Sequence, residues 1–525
     1  MARKKSRFPR NWFNRSLPLV RPKLSGYDLY QDHKTSINFG LAVPYFVDEC
    51  LPLDIHYMHT DIFMRLAPLK YPVMQRLKIH QKTFFCPTRL LLGNDTNDQF
   101  WQSDSGLSTD DMPHIRVSTS FADPFGTGKL CDYFGVQPFI STTVPYIILE
   151  NPLPLLAYHL IMAENYSDEI LDADYIDAVH GLLERYRDAG LNGDVVLSED
   201  EAAWFFVPRP VSYDRDYFTS ARPEAQRGDE VYIMNPMTMV TSDGEPVSVD
   251  SNRTLYTSGD GILSAFLDGQ VSSELGLSTT IRDLWIKMAV QRMRNRKNNY
   301  GSDRYLEYLA AFYGIVPQDS RLQRPEFIKG STGVFNISEV LQTSATEAES
   351  PLGAFAGKGI AGRRTAGLKY LCLEHGWLMS ICSLVPDNVY MTGAPRWWFK
   401  KNSLDFFHPY FQDIGEQQVF SGEIYMQNIT SSGNAVNRAD WAYQSRYSEY
   451  RAARSYVSGD FRESPLLAWH TARGFNSLPP FNDEFIHVSQ EDVNRIFNDT
   501  SELAKVYCDF STSHTALRPV KKNPQ

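Results

Sequence analysis

Cysteine is scarce in this chain of 525 residues. Six thiols are spread along the sequence and form no C-x-x-C pair, so the spacing indicates neither a disulfide framework nor a zinc motif. We expect reduced thiols, as in a cytoplasm. The cysteines are Cys50, Cys86, Cys131, Cys372, Cys382 and Cys508.

A hydrophobic run long enough to cross a bilayer is also missing. The most apolar stretch, residues 144–163, is interrupted by Glu150, Asn151 and three prolines. Near the N-terminus, Leu17-Pro18-Leu19-Val20 is too short for the core of a signal peptide. We therefore expect a protein that is made in the cytoplasm and has no membrane partner.

Catalytic and cofactor signatures are absent too, since neither H-E-x-x-H nor G-x-S-x-G occurs. His56 and His59 are three apart in a strand-like segment and would point to opposite sheet faces. Residues 357–362 match G-x-G-x-x-G, but the residues before them are small and polar and include Pro351. A dinucleotide site needs a strand there, so a glycine-rich loop is predicted. We expect no enzyme activity, no metal ligands and no cofactor.

Acidic residues are missing from the first 27 positions, whereas residues 1–23 contain eight cations. The whole chain has 52 Lys and Arg against 62 Asp and Glu, a formal charge of −10. Without the eight cations, 44 remain against 62 acids, so the body is at −18 and the N-terminal segment at +8. This pattern indicates an acidic body with a basic arm, placed at residues 1–33, that would seek phosphate.

The arm alternates cations with aromatic residues, a mixture that follows phosphates and stacks on unpaired bases. The alternative is an arm that clamps a neighbouring subunit, and both roles could hold in one assembly. The candidate nucleic-acid-binding residues are Arg3, Lys4, Lys5, Arg7, Arg10, Trp12 and Arg15 in the arm and Lys521 and Lys522 near the C-terminus.

Aromatic residues are abundant, with 28 Tyr, 31 Phe and 9 Trp, and they occur with 30 Pro and 32 Gly. This composition favours strands and long shaped loops. Strand-like alternation covers residues 35–47 and 55–66, and helical spacing covers residues 154–166 and 171–186. No series of alternating strands and helices is present, which argues against a TIM barrel or a doubly wound sheet.

A mainly-β sandwich with partly helical loop insertions is the fold class that fits, as one domain at residues 34–525. The polar or loop-like segments within it define its predicted insertions. We place surface insertions at about 167–214 and 229–280, a helical pair at 281–314, a long loop at 331–367 and an acidic loop at 94–113.

Several distinctive stretches occur in order along the chain: FFCPTRL at 84–90, LPLLAY at 153–158, DYFTSA at 216–221, RLQRPE at 321–326, EHG at 374–376, YQSRYSEY at 443–450 and GDFR at 459–462. Together they resemble one protein family, the major capsid proteins of the Microviridae, small single-stranded-DNA bacteriophages, and especially their gokushovirus branch. Ser445, Trp377 and Arg222 depart from the family pattern, which indicates a divergent branch.

The resemblance implies an eight-stranded viral jelly roll and a self-assembling icosahedral shell with one chain per asymmetric unit. It also implies packaged single-stranded DNA, a small basic DNA-binding virion protein, and scaffolding and pilot proteins as further candidate partners. The chain would be made in the bacterial host cytoplasm and reside in the virion. An insertion forms a three-fold protrusion in gokushovirus-like members; residues 229–280 are the first candidate and 167–214 the second.

Shell assembly gives the aromatic-rich loops a role as subunit contacts, with the core of the same chain as the alternative. The candidate interface residues are Trp397, Trp398, Phe406, Phe407 and Tyr410. Two other functions stay open from the residues alone, a large carbohydrate-active hydrolase and a monomeric single-strand-binding module. Particle size in solution distinguishes both of them from a capsid protein, because neither would form shells.

Overall fold

The computed structural model describes a set of residue ranges that covers most of the chain. The arm up to residue 22 and most of residues 226–322 lie outside it. The described ranges are 23–102, 111–118, 125–138, 146–225, 247–249, 255–257, 323–341, 355–412, 415–427, 436–499, 501 and 503–522.

Strands dominate the described chain, and the helices are mostly short. The strands are β1 Ser25–Asp28, β2 Gln31–Ile37, β3 Ala42–Cys50, β4 Ile55–Leu66, β5 Leu77–Pro87, β6 His114–Ser118, β7 Tyr146–Leu149, β8 Asp194–Val196, β9 Val247–Val249, β10 Leu255–Thr257, β11 Glu326–Val334, β12 Asn336–Leu341, β13 Phe355–Arg364, β14 Leu368–Leu371, β15 Gly376–Pro386, β16 Glu416–Phe420, β17 Asp440–Ser445 and β18 Val506–Arg518. The helices are α1 Thr88–Leu92, α2 Asn94–Gln102, α3 Leu130–Tyr133, α4 Leu153–Asn165, α5 Ala173–Asp188, α6 Glu199–Phe205, α7 Ser421–Ile424, α8 Asp483–Ile486 and α9 Gln490–Asn494.

Two antiparallel sheets form the body. One has four strands in the order β11-β5-β15-β3, and the other has seven, with β1-β18-β4-β13-β12 as its main path and β14 and β2 beside it. Strands β4 and β18 alternate buried and more exposed residues along most of their length, as expected for a sheet with one covered face. Strand β15 is buried at nearly every position, which requires cover on both faces of its sheet, and helices α1 and α4 contact it.

The two sheets share one hydrophobic core. Tyr45 of β3 stacks on Phe510 of β18 with ring centroids 4.5 Å apart, which joins the four-stranded sheet to the seven-stranded one. Phe46 meets His514 edge to face in the same layer. The predicted mainly-β sandwich with helical insertions is confirmed, and it has a jelly-roll character in which one sheet keeps four strands and the other is enlarged.

Residues 167–214, predicted as a surface insertion, pack closely on the sandwich. Helix α5 buries Tyr175, Val179 and Leu182 in the main core. Helix α4, buried at almost every position, attaches this region to the sandwich, where the Tyr158 hydroxyl donates to the Ala42 carbonyl at 2.7 Å. The segment is part of the body, because its apolar helix face needs a covered surface.

Three other predicted boundaries change. The described parts of residues 331–367, predicted as a long loop, contain the end of β11 and all of β12 and β13, which pair into the sheets. The arm ends before residue 25, because β1 and β2 pair with β18. The start of the predicted acidic loop at 94–113 is helix α2. The predicted helical pair at 281–314 and nearly all of 229–280 lie outside the described residues.

The G-x-G-x-x-G letters fall inside β13 rather than in a loop. A Cβ on Gly357 would stand 2.6 Å from the Tyr71 carbonyl oxygen, so glycine permits close approach of two backbones there. The motif is a packing feature of a strand and not a phosphate-binding turn.

A second, smaller core holds the region that follows β15. Tyr217, Phe218 and Tyr390 meet there, and β16 pairs with β17 beside them. In the described ranges, no helix is both long and apolar enough to cross a membrane.

Candidate assembly surface

Five aromatic side chains project from the loops after β15, and we call them the aromatic platform: Trp397, Trp398, Phe406, Phe407 and Tyr410. Their exposed fractions are 62%, 67%, 54%, 50% and 85% in the same order. The alternative that they form the core of their own chain is therefore excluded.

Short 3₁₀ turns hold the platform in place. Pro395 precedes the turn Arg396–Phe399, and Pro409 begins the turn Pro409–Phe411. Trp397 and Trp398 stack on each other at 4.7 Å, while Phe399 is buried and packs on Phe420. The turn thus points one aromatic ring inward as an anchor and leaves the two indoles outside.

A network of ion pairs lies beneath the platform. Arg396 contacts Glu423 at 2.7 Å, and Lys400 contacts Glu449 at 2.8 Å. The Tyr217 hydroxyl donates to the other oxygen of Glu423 at 3.0 Å. Because these side chains are largely buried and paired, they fix the loops that carry the exposed rings.

The two glutamates in this network differ in proton affinity. Burial raises the pKa of Glu423, although Arg396 opposes the shift. At Glu449 burial acts in the same direction, but hydrogen bonds from Lys400 and Gln417 hold the pKa below its usual value. Glu449 is therefore the firmly ionised partner of the two.

A cleft of about 440 Å³ opens beside the platform. Trp397, Phe406, Tyr450 and Tyr456 line it with aromatic surface, and Arg454 adds a cation at its wall. Arg454 donates to the Glu423 carbonyl at 3.0 Å, so its position is fixed by the backbone. Exposed aromatic rings around a rigid cleft with arginine are typical anchors of protein–protein interfaces.

The predicted nucleic-acid residues are only partly within the described chain. Arg3, Lys4, Lys5, Arg7, Arg10, Trp12 and Arg15 lie outside it, whereas Lys521 and Lys522 are exposed after the end of β18. Arg518, the last residue of β18, pairs with Asp48 and Asp54.

The fold brings together buried side chains that the sequence holds far apart. Cys50, His56 and Cys372 place their ligand atoms within 4.8 Å of one another, and His56 also meets Asp48 and His514. A further group joins Asp172, Asp483 and His487. Sequence reasoning missed these groups because long-range contacts assemble them. Strand pairing makes Cys50, His56 and Cys372 neighbours, and helix ends bring Asp172 to His487. Among the described residues, these groups have donor atoms close enough together to hold a metal ion.

Comparison with known proteins identifies the family. The family model described as capsid protein (F protein) matches residues 19–523. Chain-length relatives are the capsid proteins VP1 of Chlamydia phage 1, 27% identical over 96% of this chain and 95% of the relative, and of Bdellovibrio phage phiMH2K, 28% identical with the same shares. The capsid protein VP1 of Spiroplasma virus 4 is 24% identical over 94% of both chains. The resemblance to Microviridae capsid proteins is thus confirmed, and the chain belongs to the capsid protein (F protein) family as a structural protein of the virion rather than an enzyme.

Proposed function

We propose that copies of this chain assemble through the aromatic platform into a closed icosahedral shell, with one chain per asymmetric unit, around single-stranded DNA. The observation that carries the proposal is the exposure of five aromatic rings on a rigidly braced surface. Membership of a capsid protein family implies self-assembly, and this surface would be the contact between the copies.

Burial of the platform is the energetic argument. Burying exposed apolar surface stabilises a complex by roughly 25 cal/mol for each Å² removed from water. Large contiguous patches of this kind mark interaction sites. The paired Trp397 and Trp398 contribute wide contact area with few rotatable bonds, and Tyr410 extends it. Because these rings are already held in place, they lose little side-chain entropy when a neighbouring copy covers them.

The basic arm and the two C-terminal lysines form the DNA-facing side in this proposal. An acidic body of −18 does not neutralise a genome, so a small basic virion protein would accompany the DNA. Scaffolding and pilot proteins are the other proposed partners, with assembly in the bacterial host cytoplasm. Residues 229–280 are the first proposed three-fold insertion and residues 167–214 the second; the burial of the helix Ala173–Asp188 favours the first.

The double substitution Trp397→Ala and Trp398→Ala tests the platform. We expect it to leave soluble subunits or small precursors where the unaltered chain sediments as shells, with subunit folding unchanged by circular dichroism. The matched control is Met74→Ala, which removes an exposed apolar side chain outside the platform. Normal shells from the double variant would refute the role of the platform. A chain without substitutions that stays monomeric would refute shell assembly itself.

A further inference from the structure

A buried group of soft donors lies at one end of the sandwich. Cys50 ends β3, His56 is near the start of β4, and Cys372 follows β14. All three are fully buried, with their ligand atoms within 4.8 Å of one another. We call Cys50, His56 and Cys372 the thiol–imidazole cluster.

The orientation of His56 leaves one ring nitrogen available. Its Nδ1 lies 2.9 Å from Nε2 of His514. If Nδ1–H donates in that hydrogen bond, Nε2 carries a free lone pair. That Nε2 is buried and has no hydrogen-bond partner among the described residues. Metal-bound histidines commonly donate their other ring N–H to a neighbour in this way.

Asp54 supplies an oxygen beside that nitrogen. Its Oδ2 lies 3.8 Å from His56 Nε2 and accepts from the Leu51 amide at 3.0 Å. Its Oδ1 is buried and, within the described chain, has no hydrogen-bond partner. A buried carboxylate oxygen and a buried imidazole nitrogen without hydrogen-bond partners each carry a desolvation cost, which a bound cation would offset.

We propose that Cys50, Cys372 and His56 bind one zinc ion, with Asp54 as the fourth ligand. Two thiolates, an imidazole and a carboxylate are donors that zinc accepts in tetrahedral geometry. Such a site has ligand atoms roughly 3.3–3.8 Å apart. The ligand atoms of Cys50, His56 and Cys372, which lie within 4.8 Å of one another, would therefore move closer by at most roughly 1.5 Å on binding. The two thiol protons leave to solvent as the thiolates form.

The charges around the cluster fit this assignment. Two thiolates and the Asp54 carboxylate exceed the zinc charge by one. Arg518 lies beside that excess, because its Nε is 3.2 Å from Asp54 Oδ2, and the same guanidinium is shared with Asp48. Zinc would tie the turn between β3 and β4 to the connection between β14 and β15, next to the end of β18. Its role is to staple one end of the sandwich.

Metal analysis of the full-length chain, purified without chelator and dialysed, tests the proposal. We expect about one zinc per chain, falling to background in the double variant Cys50→Ser, Cys372→Ser. The matched control is Cys382→Ser, a buried thiol of β15 outside the cluster, which should keep its zinc. Unchanged zinc in the double variant, or none in the unaltered chain after exposure to zinc, would overturn the site.

A second measurement needs no variant and so does not depend on how the substitutions fold. Cobalt bound to the unaltered chain in place of zinc should give thiolate-to-cobalt charge-transfer absorption. Absence of that absorption overturns the proposal. Peptide mapping without reductant adds one more decisive outcome: a Cys50–Cys372 disulfide would show that the two thiols serve as a crosslink and not as ligands.

Discussion

At the scale of single residues, Glu416 carries the clearest electrostatic cost. This glutamate begins β16 and faces a polar cleft of about 350 Å³ that Arg222 and Arg451 also line. Burial raises its pKa to about 7, and Arg222 only partly opposes the shift. Its Oε2 is buried without a hydrogen-bond partner among the described residues. In the folded chain, Glu416 is therefore mostly protonated below about pH 7.

The substitution Glu416→Gln should remove a pH dependence of stability. Between about pH 4.5 and pH 7 the folded chain binds more protons at this site than the unfolded chain, so the unfolding free energy falls as pH rises. We expect the variant to be more stable by about 1–3 kcal/mol above that window, and little changed below it. Thermal unfolding from about pH 4 to about pH 8 measures this.

Glu463→Gln is the control, because Glu463 is an exposed glutamate. It should follow the unaltered chain at every pH. If the Glu416 variant also follows that curve, burial does not shift the titration of Glu416 as described.

At the scale of elements, strand β13 depends on glycine for close packing. A Cβ on Gly357 would meet the Tyr71 carbonyl oxygen at 2.6 Å and Pro72 Cα at 3.0 Å, both backbone atoms. Gly357 also exchanges backbone hydrogen bonds with Leu69. Because close packing and hydrogen bonds both hold this backbone, it cannot shift to make room for a Cβ without a cost in free energy.

Gly357→Ala should therefore lower the unfolding free energy by about 1–3 kcal/mol, the usual cost of overpacking. Gly362→Ala, in the same strand, is the matched control, since a Cβ there meets nothing within 4 Å. Chemical denaturation of both variants measures the difference. Equal stabilities would show that β13 does not need the close approach.

The elements that sequence patterns predicted well are those with strong local signals. Strand β4 has the predicted bounds, and α4 is within one residue, because both have continuous apolar patterning. Strand β2 has a polar sequence, as do β12 and β13 in large part, and their partners in the sheet stabilise them. No local pattern predicts such strands, since the stabilising contacts come from distant parts of the chain.

The candidate surface shows the same division. Aromatic density identified Trp397, Trp398, Phe406, Phe407 and Tyr410, but only the structure separates these exposed rings from the buried Phe399. The thiol–imidazole cluster was not predictable, because its members are brought together by long-range strand pairing. Chemistry at a single position can be read from sequence; proximity across hundreds of residues cannot.

At the scale of the whole molecule, charge divides the chain into a basic arm and an acidic body. Deleting residues 2–15 removes six of the cations, which would contact about six phosphates. We expect weaker DNA retention and a log–log salt dependence less steep by about 4, at ~0.7 per phosphate on single strands.

Trp12→Leu is the control for this deletion, because it removes a stacking ring and keeps every charge. It should weaken DNA retention without changing the salt slope. A deleted chain that packages DNA normally, with the same salt dependence, would show that the arm serves only contacts between subunits.

The central claim is that the aromatic platform is covered by a neighbouring copy in a closed shell. Cryo-electron microscopy of particles assembled from the full chain measures this directly, since it locates each ring relative to the next subunit. The account predicts an icosahedral shell in which Trp397, Trp398 and Tyr410 are buried against a second copy. A shell in which these three side chains face solvent on either surface, or a purified chain that forms no shell, would contradict it.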